Sequence, residues 1–152
     1  MEVRSTLADD VAEVQRISAG LPATKRAALV SIGYRLLANQ RQHFGQLVQS
    51  GSSLGVTWPK AAASTIARRR ALQRRGLLAN AEPDEIGVLT GGLARSFRFR
   101  LKSDSVSLTN TDPQANYFAS KRPIFPRTFP AAWLQDAETI TQRKLDQLTR
   151  KE

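Results

Sequence analysis

Few side chains in this sequence can do chemistry, and their spacing decides what that chemistry is. Arg68, Arg69, Arg70, Arg74 and Arg75 fall inside eight positions of the stretch GVTWPKAAASTIARRRALQRRG, residues 55 to 76. Such density attracts polyanions. At about 100° per residue on a helix, Arg68 and Arg75 nearly coincide, Arg69 lies about a quarter turn away, and Arg70 and Arg74 point to the far side. A helix that reads base edges concentrates its contacts on one face. These arginines go most of the way round, leaving Ile66 and Leu72 as narrow apolar anchors. They predict charge without sequence recognition, directed at a nucleic-acid backbone, at an acidic protein partner or at solvent. Arg98, Arg100 and Lys102 alternate with Phe97, Phe99 and Leu101, which puts three more cations on one sheet face.

Catalytic constellations are absent from the pattern. His43 is the single histidine and sits inside the apolar face of a helical stretch, the place of a packed or hydrogen-bonded residue rather than a general base. The glycines of TGGLARS, residues 90 to 96, lack the lysine and spacing of a phosphate loop. Asp9 with Asp10, and Asp84 with Glu85, are adjacent pairs at helix starts and read as caps and dipole partners. With no cysteine there are no disulfides, thiolate metal sites or thiol nucleophiles. The expectation is a non-enzyme without metal or cofactor.

The elements that position these residues follow from periodicity. The 152 residues suit a single domain of modest core, and 41% of them are hydrophobic. Leu7, Val11, Val14 and Ile17 predict a first helix over residues 6 to 19, which GLP at 20 to 22 stops. Residues 23 to 49 predict a long helix with a broad stripe, Leu29, Ile32, Leu36, His43 and Leu47 beside Val30, Leu37, Phe44 and Val48. A stripe of that width packs against more than one neighbour. Gly51 caps this helix, a loop runs to Pro59, and a basic helix over 60 to 75 ends at Gly76. RSFRFRLK and VSLTN, joined by SDS, predict a β-hairpin. Residues 112 to 130 carry four of the seven prolines and predict an extended loop, followed by a C-terminal helix with Trp133, Ala137, Ile140, Lys144 and Leu148 on one face. The fold class is α+β, with long N-terminal helices and a C-terminal helix packed on a small antiparallel sheet.

Net charge is +10, and it is unevenly placed. Between Glu13 and Glu82 there is no carboxylate, while eleven arginines and lysines fall in that interval. No run approaches the ~20 apolar residues of a membrane span. Acids near the start are unlike a signal peptide, so a protein made in, and working from, a cytoplasm is expected.

Trp58, then STIARRR at 64 to 70, then VLTGGLARSF at 88 to 97 and a hairpin together resemble the phage virion-morphogenesis family, which includes the Mu-type tail-completion and related neck proteins. In that order stand Trp58, Thr65, Thr90, Gly91, Leu93 and Ser96, and later NYFA at 116 to 119 and FPRTF at 125 to 129. SKRPI at 120 to 124 stands where the family usually has a histidine and a glycine. The resemblance covers about two thirds of the chain, from about Phe44 onward. It implies one neck or tail-completion domain over 1–152, with residues 1–21 as a helical arm. It further implies a virion protein, assembled in the bacterial host as a cyclic homo-oligomer of six copies, between the head connector and the tail tube or terminator. Tyr117, Phe118, Phe125, Arg127 and Phe129 are the expected contacts to neighbouring rings. The rival expectation is a small basic protein that binds DNA non-specifically.

Overall fold

The computed structural model describes residues 7–77 and 92–150, with side chains in the first helix from Asp10 onward. It is mixed helix and sheet, in the order α1 (Leu7–Ser50), β1 (Ser52–Ser53), β2 (Val56–Thr57), α2 (Ala63–Arg74), α3 (Gly92–Arg95), β3 (Phe97–Leu101), β4 (Val106–Asn110), α4 (Ala115–Lys121) and α5 (Ala131–Thr149). Glu82, Asp84, Glu85, Thr90 and Gly91 lie outside the described residues.

α1 is the frame. Its 44 residues span about 66 Å at about 1.5 Å per residue. The predicted stop at GLP does not occur, and Pro22 lies inside the continuous helix. Proline there removes one hydrogen bond and crowds the carbonyl four residues back. Packing on α5 overrides that local cost. The two helices run antiparallel, with Arg16 Nη2 donating to the Leu148 carbonyl at 3.0 Å near one end. Toward the other end, Arg35 and Asn39 donate to Asp136 at 2.8 and 2.9 Å. The arm expected over 1–21 is thus, from Leu7, the start of the long helix itself.

Two glycines of α1 allow close approach. A Cβ on Gly20 would lie 2.5 Å from Leu148 Cδ1, and one on Gly33 would lie 2.5 Å from Phe99 Cδ2. The first brings in α5 and the second β3, so the broad stripe does serve two neighbours. The predicted hairpin forms, with β3 and β4 antiparallel from Phe97↔Asn110 to Leu101↔Val106.

The core gathers at the C-terminal half of α1, where Leu37, Phe44 and Leu47 meet Val56, Trp58, Leu93, Phe97, Ala115 and Ile124. Five rings run edge to face through it. Phe118 meets Trp58 at 5.4 Å, Trp58 meets Phe44 at 5.6 Å, Phe44 meets Phe97 at 5.3 Å, and Phe97 meets Phe125 at 5.8 Å. Such pairs add about 0.5–1.5 kcal/mol each beyond burial. The 112–130 segment, expected as an extended loop, contains α4 between Pro113 and Pro123. The Asp112 carboxylate accepts the Gln114 N–H at 2.8 Å at its start.

A second hairpin, unanticipated, joins β1 to β2 through Leu54 and Gly55, both at positive φ (45° and 75°). This two-residue turn matches the twist of the strands. Gly76 ends α2 as expected, at φ 67°. Its N–H reaches the Gln73 carbonyl and the Leu77 N–H reaches Leu72, the paired bonds of a glycine-capped helix end.

Candidate interaction surfaces

α2 carries the arginine cluster. It starts at Ala63, three residues later than expected, because Ala62 is extended (φ −62°, ψ 144°). No residue of the helix is buried. Ile66, Ala71 and Leu72 are half-buried, and so is Arg69, which has a partner within the chain. Arg68, Arg70, Arg74 and Arg75 are exposed and have no ion-pair partner among the described residues. Arg69 apart, the expected cluster stands in solvent as a block of positive charge.

Elsewhere, part of the one-sided charge is matched. Lys25 pairs with Asp104, Arg35 with Asp136, and Arg16 with Glu13. The hydrogen bond from Lys25 holds the Asp104 carboxyl below the usual carboxylate range, and Arg35 does the same for Asp136. The Lys25 and Arg35 pairs tie α1 to the hairpin turn and to α5. Being exposed, they fix orientation more than they add stability.

The hairpin cations do not form one uniform face. Arg98 folds back so that Nη1 donates to the carbonyls of Arg95 and Phe97, at 2.5 and 2.8 Å. Arg100 is exposed, and Lys102 lies beyond the end of β3.

The aromatic candidates divide. Phe118 and Phe125 are half-buried and pack against the core, through Trp58 and Phe97. They support the core through these ring contacts. Tyr117 is 75% exposed and Phe129 is 53% exposed, and Arg127 is exposed beside them. Phe129 still leans edge-on against Trp133 at 5.8 Å.

His43 is buried, as its place on the stripe predicts. Ser53 Oγ donates to Gln46 Oε1 at 2.7 Å, so it accepts from His43 Nδ1–H at 2.8 Å. Among the described residues the imidazole Nε2 is a buried acceptor without a partner, and burial pulls the pKa down. The neighbouring Gln40 donates to the Ile124 carbonyl at 2.6 Å.

One surface escaped sequence reasoning. Arg41, Phe44, Gly45 and Val48 of α1 face Arg95 and Arg98 across an open groove of about 750 Å³. The spacing of Arg41, Phe44 and Val48 marks a single helix face, but only tertiary packing brings Arg95 and Arg98 opposite it. Arg41 is exposed and has no ion-pair partner among the described residues. Among the described residues no three histidines or carboxylates group to hold a metal, and no helix is long and apolar enough to cross a membrane. Compared with family models, with curated proteins and with solved structures, the chain matches none.

Proposed function

We propose that this protein is a structural subunit of a tailed-phage neck, a tail-completion or head–tail joining protein that works by self-assembly and docking. The observation that carries the reading is where the resemblance residues fall. Trp58, Leu93, Phe97, Phe118 and Phe125 come from separate stretches of sequence, yet they converge on one core around α1. Trp58 Nε1 also donates to the Pro123 carbonyl at 2.8 Å, tying the first hairpin to the proline segment. Order and spacing that build a common core are what a shared fold requires, so these residues support the resemblance better than surface positions would.

The remaining surface suits a protein that assembles. Val11, Val14, Tyr34, Leu77, Tyr117 and Phe129 are large apolar or aromatic side chains left exposed. Among the described residues both small sheets have open edges. On this reading the copies form a closed ring, six by the family's expectation, with the head connector on one side and the tail on the other. The α2 arginines then face packaged DNA or an acidic neighbouring ring.

A second reading, non-specific DNA binding without a virion role, is favoured by one observation, the projecting basic helix. One set of experiments separates the two. Electron microscopy of the purified protein at high concentration should show rings. Antibody labelling of tailed particles from the encoding strain should mark the neck. Arg68, Arg69 and Arg70→Ala should leave the protein folded and impair head–tail joining. If the protein stays monomeric, labels no particle, and binds duplex DNA with a steep salt dependence that the triple variant loses, the DNA-binding reading replaces the neck.

A further inference from the structure

The helix that frames the fold has three interior glycines, and the chain explains two of them. Leu148 occupies the space at Gly20, and Phe99 occupies the space at Gly33. At Gly45, among the described residues, nothing lies within 4 Å of the position a Cβ would take. Glycine inside a helix is disfavoured relative to alanine, so a glycine with open space above it among the described residues leaves room for close approach by another element. Gly45 lies in the groove between α1 and the start of β3. Phe44 and Val48 give that groove an apolar floor, and Arg41, Arg95 and Arg98 rim it with no carboxylate among the described lining residues.

The other end of α1 has the complementary character. Arg16 reaches the Leu148 carbonyl and α5 ends at Thr149, so residues 7 to 15 run past the end of their partner helix. There Val11 is 48% exposed and Val14 is 66% exposed. Residues 1 to 15 hold four carboxylates and one arginine. From Leu7 the segment is helical, with Asp9, Asp10 and Glu13 in its sequence and Val11 and Val14 exposed, whereas the groove is apolar-floored and basic.

We propose that the groove of one copy receives the N-terminal segment of α1, residues 7 to 15, from a second copy of this chain. Val11 and Val14 lie over Phe44 and Val48, and the incoming helix crosses closely at Gly45. The Asp10 and Glu13 carboxylates come within reach of Arg41 and Arg98, in addition to the contacts they make in their own chain. A copy cannot bring its own residues 7 to 15 to its own groove. Val11 and Gly45 lie on one continuous helix, separated by about 50 Å at about 1.5 Å per residue. The contact is therefore head to tail, and it closes into a ring or extends into a filament according to the rotation between copies. Only the self-assembly part of the neck reading is needed here.

The test is the mass of the full chain by light scattering across a concentration series. Three variants are compared with wild type, namely Val11→Glu/Val14→Glu in the segment, Arg41→Glu/Arg98→Glu in the groove, and Gly45→Ala. Thermal melts confirm that each is folded. The charge variants should be monomeric where wild type assembles. Gly45→Ala should melt no lower than wild type and yet need at least tenfold more protein to assemble, which loss of a purely structural glycine would not produce. Mixing the segment variant with the groove variant should give a heterodimer and nothing larger, because the pair retains one intact segment and one intact groove. Wild type that is monomeric throughout overturns the proposal, and so does assembly that either charge variant leaves unchanged. Loss of duplex DNA binding in place of assembly, in the Arg41/Arg98 variant, assigns the groove to nucleic acid and also overturns it. Assembly that persists as rings in the charge variants removes this contact but leaves the neck reading standing. Filaments that depend on the contact do the reverse.

Discussion

Trp58 offers the sharpest test of how the resemblance residues hold the fold together. The side chain is 3% exposed, packs edge-on against Phe44 and Phe118, and donates its indole N–H to the Pro123 carbonyl at 2.8 Å. Trp58→Ala removes both ring contacts and leaves a cavity between the first hairpin and the 115–125 segment, which should cost about 4 kcal/mol. Trp58→Phe keeps an apolar ring in place but leaves the Pro123 carbonyl without its donor, and should cost about 2 kcal/mol. For a chain of this size each kcal/mol moves Tm by about 2–4 °C, so the expected losses are about 8–16 °C and about 4–8 °C. Urea denaturation followed by circular dichroism gives the free energies directly. A double-mutant cycle with Phe118→Ala should return a coupling on the order of 1 kcal/mol for the edge-to-face pair. If Trp58→Ala falls within about 1 kcal/mol of wild type, the indole is not the tie between hairpin and proline segment, and the core drawn around it is wrong.

Pro22→Ala restores an N–H that can reach the Ser18 carbonyl and should raise stability by up to about 3 kcal/mol, measured as a higher urea midpoint. An unchanged or lower midpoint would mean the proline is accommodated at no cost. Leu54→Asn relieves a leucine at φ 45° that is 46% exposed, and should stabilise by about 1 kcal/mol in the same assay; a loss would show that the exposed leucine contributes packing. His43 predicts a pH dependence with a definite sign. Burial lowers its folded pKa below the unfolded value of about 6.5, so its contribution is complete above about pH 6.5. That contribution falls as pH drops from there toward the folded pKa, because the unfolded chain takes the proton first. Tm measured between about pH 8 and pH 5 should decline below about 6.5 in wild type and flatten there in His43→Gln. Identical profiles would place the dependence on other groups.

Most of the fold was legible where periodicity and packing agree. The stripe over 23 to 49, Phe97 and Phe99 of the strand alternation and the Trp133 to Leu148 face each bury what their spacing predicts, whereas Leu101, at the end of β3, is exposed. The misses occur where tertiary contact outweighs a local signal. Pro22 reads as a stop, but α5 grips the helix on both sides of it through Leu148 and Asp136. Four prolines made 112 to 130 look extended, yet seven residues between two of them suffice for α4, once Asp112 satisfies an N–H at its start. The Leu54–Gly55 turn was hidden because leucine is a poor residue for positive φ. Of the candidate site, the exposed arginines of α2 were visible as composition. The division of the aromatics into internal Phe118 and Phe125 and external Tyr117 and Phe129 was not, because all four share one proline-rich stretch with no period to separate them.

The charge asymmetry takes on a narrower meaning once pairs are drawn. A chain with no carboxylate from residue 14 to residue 81 could have left every cation in that interval facing outward. Instead, Lys25 and Arg35 are matched by Asp104 and Asp136, acids that arrive from the hairpin turn and from α5. Arg16 is matched by Glu13 of its own helix. Among the described residues, cations of that interval without an ion pair include Arg68, Arg70, Arg74 and Arg75 on and just after α2, and Arg41 in the groove beside Gly45. The two differ in kind. α2 has charge with little apolar surface beside it, which suits a diffuse anion such as a phosphate backbone. The groove combines charge, an apolar floor and a glycine with open space, which suits a shaped partner of fixed length. Charge reversal at Arg68, Arg70 and Arg74 should therefore change salt-dependent binding without altering the mass of the assembly, whereas reversal at Arg41 and Arg98 should alter the mass first. A single surface serving both purposes would show the two effects together in either variant.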